Sequence, residues 1–216
     1  PHTAGPVVNK LSLSPDIRTI AEMVSADYLC AYFGKWHLGD DVVPQHGFGK
    51  WISVEDERQN TYTREEYRHR FSDYHHHLIN SGFTPKSEVF EANQRSELPR
   101  EFQMASFLGD QAAKFIRETN DRPFILYVST FEPHSPNNGP FNDMYDPLTM
   151  PVGPAFLRRP KGGAEINQIK ADYFLKPMLE GKGQSMDSYM STYAAAYNDV
   201  STEEGWRTLR ARYFAN

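Results

Sequence analysis

Residues 28–39 read YLCAYFGKWHLG, and this stretch decides the fold. Its first six residues are apolar and rich in aromatic rings, which predicts a short buried strand. Because side chains two positions apart on an extended backbone share a face, Lys35 and His37 should point the same way and Trp36 the opposite way. A fixed positive charge beside an imidazole at a strand end suits an oxyanion such as sulfate or phosphate. From spacing alone, an ordinary solvated rim is the commoner explanation of a lysine and a histidine near a strand end.

A second helix–strand unit follows downstream. Residues 103–119 carry apolar side chains at helical spacing, and residues 120–123 read as a turn. Residues 124–130 form a nearly continuous apolar run, which is typical of a strand covered on both faces in a parallel sheet. The order helix, strand, long loop, helix, strand predicts an α/β layered fold with a mostly parallel sheet.

The remaining helices are predicted from helix-capping residues and from the glycine and proline residues that end or begin them. Ser14-Pro15 is expected to start a helix that runs to Val24, and Arg64 to Ser81 a second helix that stops at Gly82. A capping box at Ser201–Glu204 predicts a helix that runs toward the last residue. Three stretches without clear periodicity are expected to be irregular: residues 39–62, 83–102 and 133–183. Residues 186–198 are either a short helix or irregular.

The composition indicates one globular domain with a substantial core. The 216 residues are 39% hydrophobic and 24% charged, and the formal net charge is −5. This acidic balance argues against a nucleic-acid partner, and no apolar run approaches the roughly 20 residues that span a bilayer. The single cysteine, Cys30, lies inside the predicted strand and is expected to be buried and structural rather than reactive.

Several motifs together resemble the sulfatase family. YFGKWHLG at residues 32–39, followed by PQHGF at residues 44–48 and Trp51, is similar to the second signature of that family. RPFILYVS at residues 122–129, which leads to EPHSP at residues 132–136, is similar to its core strand and Pro-His loop. The opening PHTAG resembles the segment after the nucleophile helix. The resemblance implies a partial alkaline-phosphatase-like α/β/α sandwich with a mostly parallel sheet, and a single partial catalytic domain over residues 1–216.

The resemblance also implies roles for three residues. Lys35, His37 and His134 match the positions that contact the substrate in sulfatases, enzymes that hydrolyse a sulfate ester to an alcohol and sulfate. Lys35 would neutralise charge on the sulfate oxygens, and His37 would share that task or assist the nucleophile. His134 would protonate the leaving oxygen as a general acid. Both histidines follow predicted strands, where open α/β sheets place their ligands.

Two parts of the family pattern have no match in this sequence. The formylglycine nucleophile arises from a Cys/Ser-x-Pro-x-Arg motif, whereas Cys30 precedes Ala-Tyr-Phe and residues 12–16 read SLSPD without the arginine. Family members also bind calcium through acidic residues near their N-terminus and a distant downstream element, and neither is found here. Asp40-Asp41 is expected to face solvent rather than a metal. The chain is therefore predicted to be an internal fragment, inactive on its own, that lacks the N-terminal nucleophile and metal segment and the C-terminal metal-binding segment.

Alternatives remain open at this point. A phosphoesterase or phosphonate hydrolase of the same superfamily could use the same cations, and a non-catalytic sulfatase-like binding protein could keep the fold. On a helix, the side chains of His75, His76 and His77 point about 100° apart, so they cannot all reach one metal ion. A solvated helix face therefore explains them better than a zinc site.

Expectations about partners are broader. The small basic cluster Arg158, Arg159 and Lys161 could contact an anionic substrate or simply be solvated. The implied partner is a small sulfate ester or a sulfated glycan, with no nucleic acid and no membrane segment. Export to the periplasm or the outside of the cell is favoured by the resemblance, and the oligomeric state is open.

Overall fold

The structure is a computed structural model. It describes residues 3–9, 11–119, 121–180 and 202–216. The chain divides into two compact units, Pro1–Glu132 and Pro133–Asn216. The sheet belongs to the first unit, and the described part of the second unit consists of helices and turns. The expectation of a single partial domain over residues 1–216 stays a prediction.

The first unit is built on a sheet of three parallel strands. These are β1 (Leu29–Gly34), β2 (Lys50–Ile52) and β3 (Phe124–Ser129). β1 is central in the order β2-β1-β3, with Phe33 opposite Ile52 on one side and Val128 on the other. The predicted α/β class with a parallel sheet is confirmed, and so are the two predicted strands.

Helices and single turns of 3₁₀-helix connect and cover these strands. The α-helices are α1 (Ile20–Met23), α2 (Glu65–Arg68), α3 (Asp73–Asn80), α4 (Ala92–Ser96), α5 (Met104–Glu118), α6 (Glu165–Leu179) and α7 (Glu203–Ala215). The 3₁₀ turns are Gln59–Thr61, Arg100–Phe102 and Pro147–Thr149. α5 confirms the helix predicted at residues 103–119, because its buried stripe packs onto the sheet.

Two predicted helices are shorter than expected. α1 starts only after Thr19, whose backbone N–H donates to the Glu22 carboxylate at 2.8 Å, rather than at Ser14-Pro15. The helix predicted from Arg64 to Ser81 is split into α2 and α3. The break occurs because Ser72 is an N-cap that accepts a hydrogen bond from the His75 N–H at 3.1 Å, and capping there outweighs a continuous apolar stripe.

Three stretches expected to be irregular contain regular structure. β2 lies within residues 39–62, α4 within residues 83–102 and α6 within residues 133–183. β3 is also less covered than predicted, since Tyr127 is 54% exposed. The helix suggested at residues 186–198 lies outside the described residues, and the helix predicted from the box at 201–204 is α7, capped instead by Thr202.

The core lies on both faces of the sheet. Side chains of β1 alternate between two clusters, because successive residues of a strand point to opposite faces. Ala31 and Phe33 pack with α5 and the segment that contains α3, whereas Cys30 and Tyr32 pack with Trp36 and its aromatic neighbours. Cys30 is buried as predicted, and burial raises the pKa of its thiol, which disfavours the reactive thiolate.

The second unit is organised around α6 and α7. The indole N–H of Trp206 in α7 donates to the Val152 carbonyl at 2.9 Å, which fixes this helix beside the turn at Pro147–Thr149. Arg159 forms two hydrogen bonds with Asp172 of α6, at 2.7 and 2.9 Å. Of the helices in the described ranges, none has the length and apolar character that crossing a bilayer requires.

Candidate functional site

The carboxyl edge of the sheet collects residues from all three strands. Because β1, β2 and β3 are parallel, the segments that follow them leave the sheet at the same edge. Lys35 and His37 follow β1, Glu55 follows β2, and Phe131 follows β3. The structure therefore places two of the predicted site residues, Lys35 and His37, at the edge where open α/β sheets bind ligands.

Lys35 is anchored through its backbone and packs against an aromatic ring. Its backbone N–H donates to the Ser129 carbonyl at 3.0 Å, which extends the contact between β1 and β3, and its carbonyl accepts from the Tyr32 hydroxyl at 2.5 Å. The Lys35 ammonium lies 4.2 Å from the centroid of the Phe131 ring. Among the described ion pairs, no carboxylate lies against this ammonium. A cation–π contact of this kind helps to hold the ammonium group in place.

His37 has a left-handed backbone rather than an extended one. β1 ends at Gly34, and φ of His37 is 58°, so the alternation expected of a strand does not apply at this residue. Its backbone N–H donates to Asp41 Oδ1 at 2.9 Å, and its ring Nε2 lies 2.9 Å from Glu55 Oε1. The imidazole is 24% exposed. The ring is therefore positioned by two carboxylates and still reaches solvent.

Glu55 interacts with both Lys35 and His37. It is 5% exposed. Burial is the largest influence and raises its pKa, but the hydrogen bond from His37 and the charges of His37, Lys35 and Arg58 together leave that pKa below its ordinary value. Lys35 and His37 thus both act on one ionised, buried carboxylate. Sequence reasoning missed Glu55 because it lies within residues 39–62, which were expected to be irregular. The overlooked signal was its place just after the short strand β2.

The pair Asp40-Asp41 corrects a prediction, because both carboxyl groups are buried rather than turned to solvent. Asp40 accepts hydrogen bonds from the Thr63 N–H and hydroxyl, at 2.7 and 2.6 Å. Asp41 accepts from the His37 N–H, and burial raises its pKa to about 6. The two carboxylates thus serve as acceptors for the backbone N–H groups of His37 and Thr63.

His134 lies at the start of the second unit, in the segment just after the end of the first. Its side chain is exposed, and its Nδ1 lies 2.7 Å from the Ser135 carbonyl oxygen. Because a carbonyl only accepts, Nδ1 carries a hydrogen and Nε2 is the atom suited to exchange a proton with a substrate. The convergence of His134 with Lys35 and His37 on one anion stays a prediction.

The three consecutive histidines are not an entirely solvated face. His75 is buried and stacks on Phe71 with ring centroids 4.3 Å apart, and burial lowers its pKa although Asp56 nearby acts in the opposite direction. His76 is exposed, and the ring of His77 is tilted against that of Phe107 with the two centroids 4.8 Å apart. The three rings therefore lie in different environments, as expected for consecutive side chains on a helix.

A metal ion finds no suitable set of ligands in the described ranges. Across residues 3–9, 11–119, 121–180 and 202–216, no three histidine, cysteine, aspartate or glutamate side chains are grouped so as to bind one. The carboxylates nearest to Lys35 and His37 already accept hydrogen bonds from protein groups. These residues thus do not fit calcium, and the location of calcium ligands outside this chain stays a prediction. The zinc alternative at His75–His77 gains no support.

The basic cluster of the second unit is exposed. Arg159 is engaged by Asp172, whereas Arg158 and Lys161 lie on the surface. This arrangement resembles a solvated charge run more than a built anion site.

Comparison with known proteins completes the description of the site. A sequence model of the sulfatase family matches residues 1–200. An "Ulvan-active sulfatase" from Formosa agariphila is 28% identical over 161 residues, which are 71% of this chain and 28% of that protein. A solved phosphonate monoester hydrolase from Silicibacter pomeroyi superposes with a TM-score of 0.59 at 20% identity, over 98% of this chain and 43% of that one. The chain therefore spans about a quarter of the curated relative, and the structural likeness shows an alkaline-phosphatase-like fold. Since the family's sequence pattern extends over nearly all of it, this chain belongs to the sulfatase family.

Proposed function

We propose that these residues act within a longer, full-length polypeptide that hydrolyses sulfate esters to an alcohol and sulfate, with Lys35 and His37 contacting the sulfate and His134 protonating the leaving oxygen. The observation that carries this proposal is that Lys35 and His37 both lie at the carboxyl edge of the sheet, where His37 is bonded to the buried Glu55 carboxylate and Lys35 lowers the pKa of that group. Family membership supplies the reaction class.

Each proposed role follows from the chemistry of ester cleavage. Attack at sulfur breaks the S–O bond to the alcohol, and negative charge moves onto the sulfate oxygens and the departing oxygen. The Lys35 ammonium neutralises part of that charge, and a His37 ring nitrogen donates to a sulfate oxygen. His134 gives its proton to the departing oxygen through Nε2, which a protonated imidazole can do near neutral pH. The attacking nucleophile is proposed to come from outside the matched motifs.

The proposed substrates are sulfated glycans or small sulfate esters. The curated relative bears the name of a sulfatase active on ulvan, and this name is the ground for placing a glycan first. Export from the cell is proposed on family resemblance.

A phosphonate monoester is the second candidate substrate. The solved relative with the same fold is named a phosphonate monoester hydrolase. Sulfate, phosphate and phosphonate groups are all tetrahedral anions, so one lysine and two histidines do not discriminate among them.

Paired substrates and one matched lysine test the proposal. In the full-length polypeptide, kcat/KM is measured with 4-nitrophenyl sulfate and with 4-nitrophenyl phenylphosphonate. Lys35→Ala should lower kcat/KM by about 100-fold or more, which is typical of removing one group that stabilises transition-state charge. Lys50→Ala removes an exposed lysine of β2 and should leave kcat/KM unchanged. Full activity of Lys35→Ala would refute the proposal, and faster turnover of the phosphonate would favour the second candidate.

A further inference from the structure

We propose that Glu55 is a positioning residue for His37: its carboxylate keeps hydrogen on Nε2 of the imidazole and so reserves Nδ1 for the bound oxyanion. This inference rests on the proposed function and assigns a role to a residue that the family motifs quoted above do not contain. Glu55 does not touch the substrate and acts through the ring it holds.

The hydrogen bond itself sets which nitrogen carries the proton. Glu55 Oε1 lies 2.9 Å from His37 Nε2, and the Glu55 carboxyl group is almost fully buried. Its other oxygen, Oε2, is buried without a hydrogen-bond partner, so His37 is the principal donor to this group. An ionised carboxylate can only accept, and therefore Nε2 must donate. The hydrogen bond on one ring nitrogen decides the state of the other.

The charges around Glu55 keep it ionised. The hydrogen bond from His37 and the charges of His37, Lys35 and Arg58 all lower the pKa of this carboxyl group. Burial acts in the opposite direction on Glu55. At the neighbouring Asp41, burial prevails and raises the pKa of the carboxyl to about 6, and the Glu55 charge adds to that effect. One buried carboxylate of the pair is thus stabilised as an anion by nearby cations, while the other carries the desolvation penalty.

The backbone of His37 fixes the ring from the other side. A φ of 58° is rare for a residue other than glycine, and such strain persists where surrounding contacts determine the conformation. The contact here is the His37 N–H to Asp41 Oδ1 at 2.9 Å. With its N–H held by Asp41 and Nε2 held by Glu55, the ring cannot turn over without losing the second bond.

The consequence concerns anion binding. Among the described hydrogen bonds of His37, none involves Nδ1, and the ring retains some exposure. A sulfate oxygen is an acceptor, so binding through His37 needs hydrogen on Nδ1 as well. The Glu55 carboxylate stabilises the positive charge of that doubly protonated ring. Without Glu55, the ring could rotate or bind the anion through the wrong nitrogen.

Imidazole ¹⁵N chemical shifts test this inference in the full-length polypeptide. Above the titration of His37, the wild-type ring should show hydrogen on Nε2 and a bare Nδ1, whereas Glu55→Gln should show a mixture of both forms. Inorganic sulfate, used as the probe, should bind Glu55→Gln about 10- to 100-fold more weakly, by analogy with the loss seen when a carboxylate that orients a metal-binding histidine is removed. The control is Glu65→Gln, which disrupts an exposed pair with His69 at 3.3 Å and should change neither result.

The outcomes separate this inference from the proposed function. A neutral wild-type ring that carries its hydrogen on Nδ1 and leaves Nε2 bare would overturn the inference without any variant. A folded Glu55→Gln that keeps both the wild-type shifts and the wild-type sulfate affinity would overturn it too. Failure of the proposed function shows differently, because Lys35→Ala would then retain full ester turnover while the ¹⁵N shifts of His37 still depended on Glu55.

Discussion

The buried Asp41 carboxyl should make the stability of the first unit fall as the pH rises. It is 2% exposed, and burial raises its pKa from 3.8 to about 6, helped by the Glu55 charge and opposed by the His37 N–H and by the charges of Arg58 and His37. The folded chain therefore binds this proton more tightly than the unfolded chain does. The stabilisation is complete at low pH and is lost as the pH rises through roughly 4 to 6.

The magnitude follows from these two pKa values. At a pH well above both values, ionised Asp41 destabilises the folded state by about 3 kcal/mol. The reference is a carboxylate whose pKa is the same in the folded and the unfolded chain. Between pH 5.0 and 7.5, the loss of folding stability caused by the ionisation of Asp41 is about 1.4 kcal/mol. Asp41→Asn keeps an acceptor for the His37 N–H and removes the charge. The free energy of unfolding of the variant, relative to wild type, should therefore increase by about that amount over this interval.

Urea unfolding at the two pH values measures the change. Replacing Trp206 by Phe leaves the emission of Trp36 and Trp51, which both pack in the first unit, as the probe. Asp16→Asn is the control, because it removes the same charge from an exposed position. The reasoning is refuted if the stability difference between Asp41→Asn and wild type is the same at pH 5.0 and 7.5, or if Asp16→Asn shows the same pH dependence.

Three further predictions concern the space around Gly34, the contact between Lys35 and Phe131, and the activity of residues 1–216. Gly34→Ala should lose several kcal/mol and most soluble yield, because its φ is 113° and a Cβ would lie 1.9 Å from a backbone oxygen of β3; Gly82→Ala, with φ 90° and open space, should lose only about 1 kcal/mol in thermal unfolding. Phe131→Leu removes the ring under Lys35 and should weaken sulfate binding by about 2- to 10-fold in titration calorimetry. Residues 1–216 alone should not hydrolyse an aryl sulfate, and turnover above that of Lys35→Ala would contradict this.

The two long strands and α5 could be predicted because the pattern of apolar residues along the chain is enough to specify them. The apolar runs at residues 28–33 and 124–130 and the stripe of residues 103–119 each have one favourable solution, a buried strand or an amphipathic helix, and all three are present. β2 was missed because three residues, Lys50–Ile52, are too few to show a period. The helix expected at residues 64–81 was interrupted because the cap at Ser72 is a local interaction that a hydrophobic pattern does not reveal.

The candidate site divides in the same way. Lys35, His37 and His134 could be selected from motifs because a cation and imidazoles after strands are visible along the chain. Asp41 and Glu55 could not, because acidic residues next to one another ordinarily face water.

The sequence by itself determined the strand that Lys35 and His37 follow, since an apolar run that ends in glycine and polar residues must leave the sheet at that point. Only the tertiary structure decided what surrounds His37. Parallel pairing of β1 with β2 brings Glu55, eighteen residues away, to 2.9 Å from its ring. Burial then turns ordinary carboxyl groups into one anion that orients an imidazole and one that is protonated near pH 6, and that burial depends on contacts between distant segments.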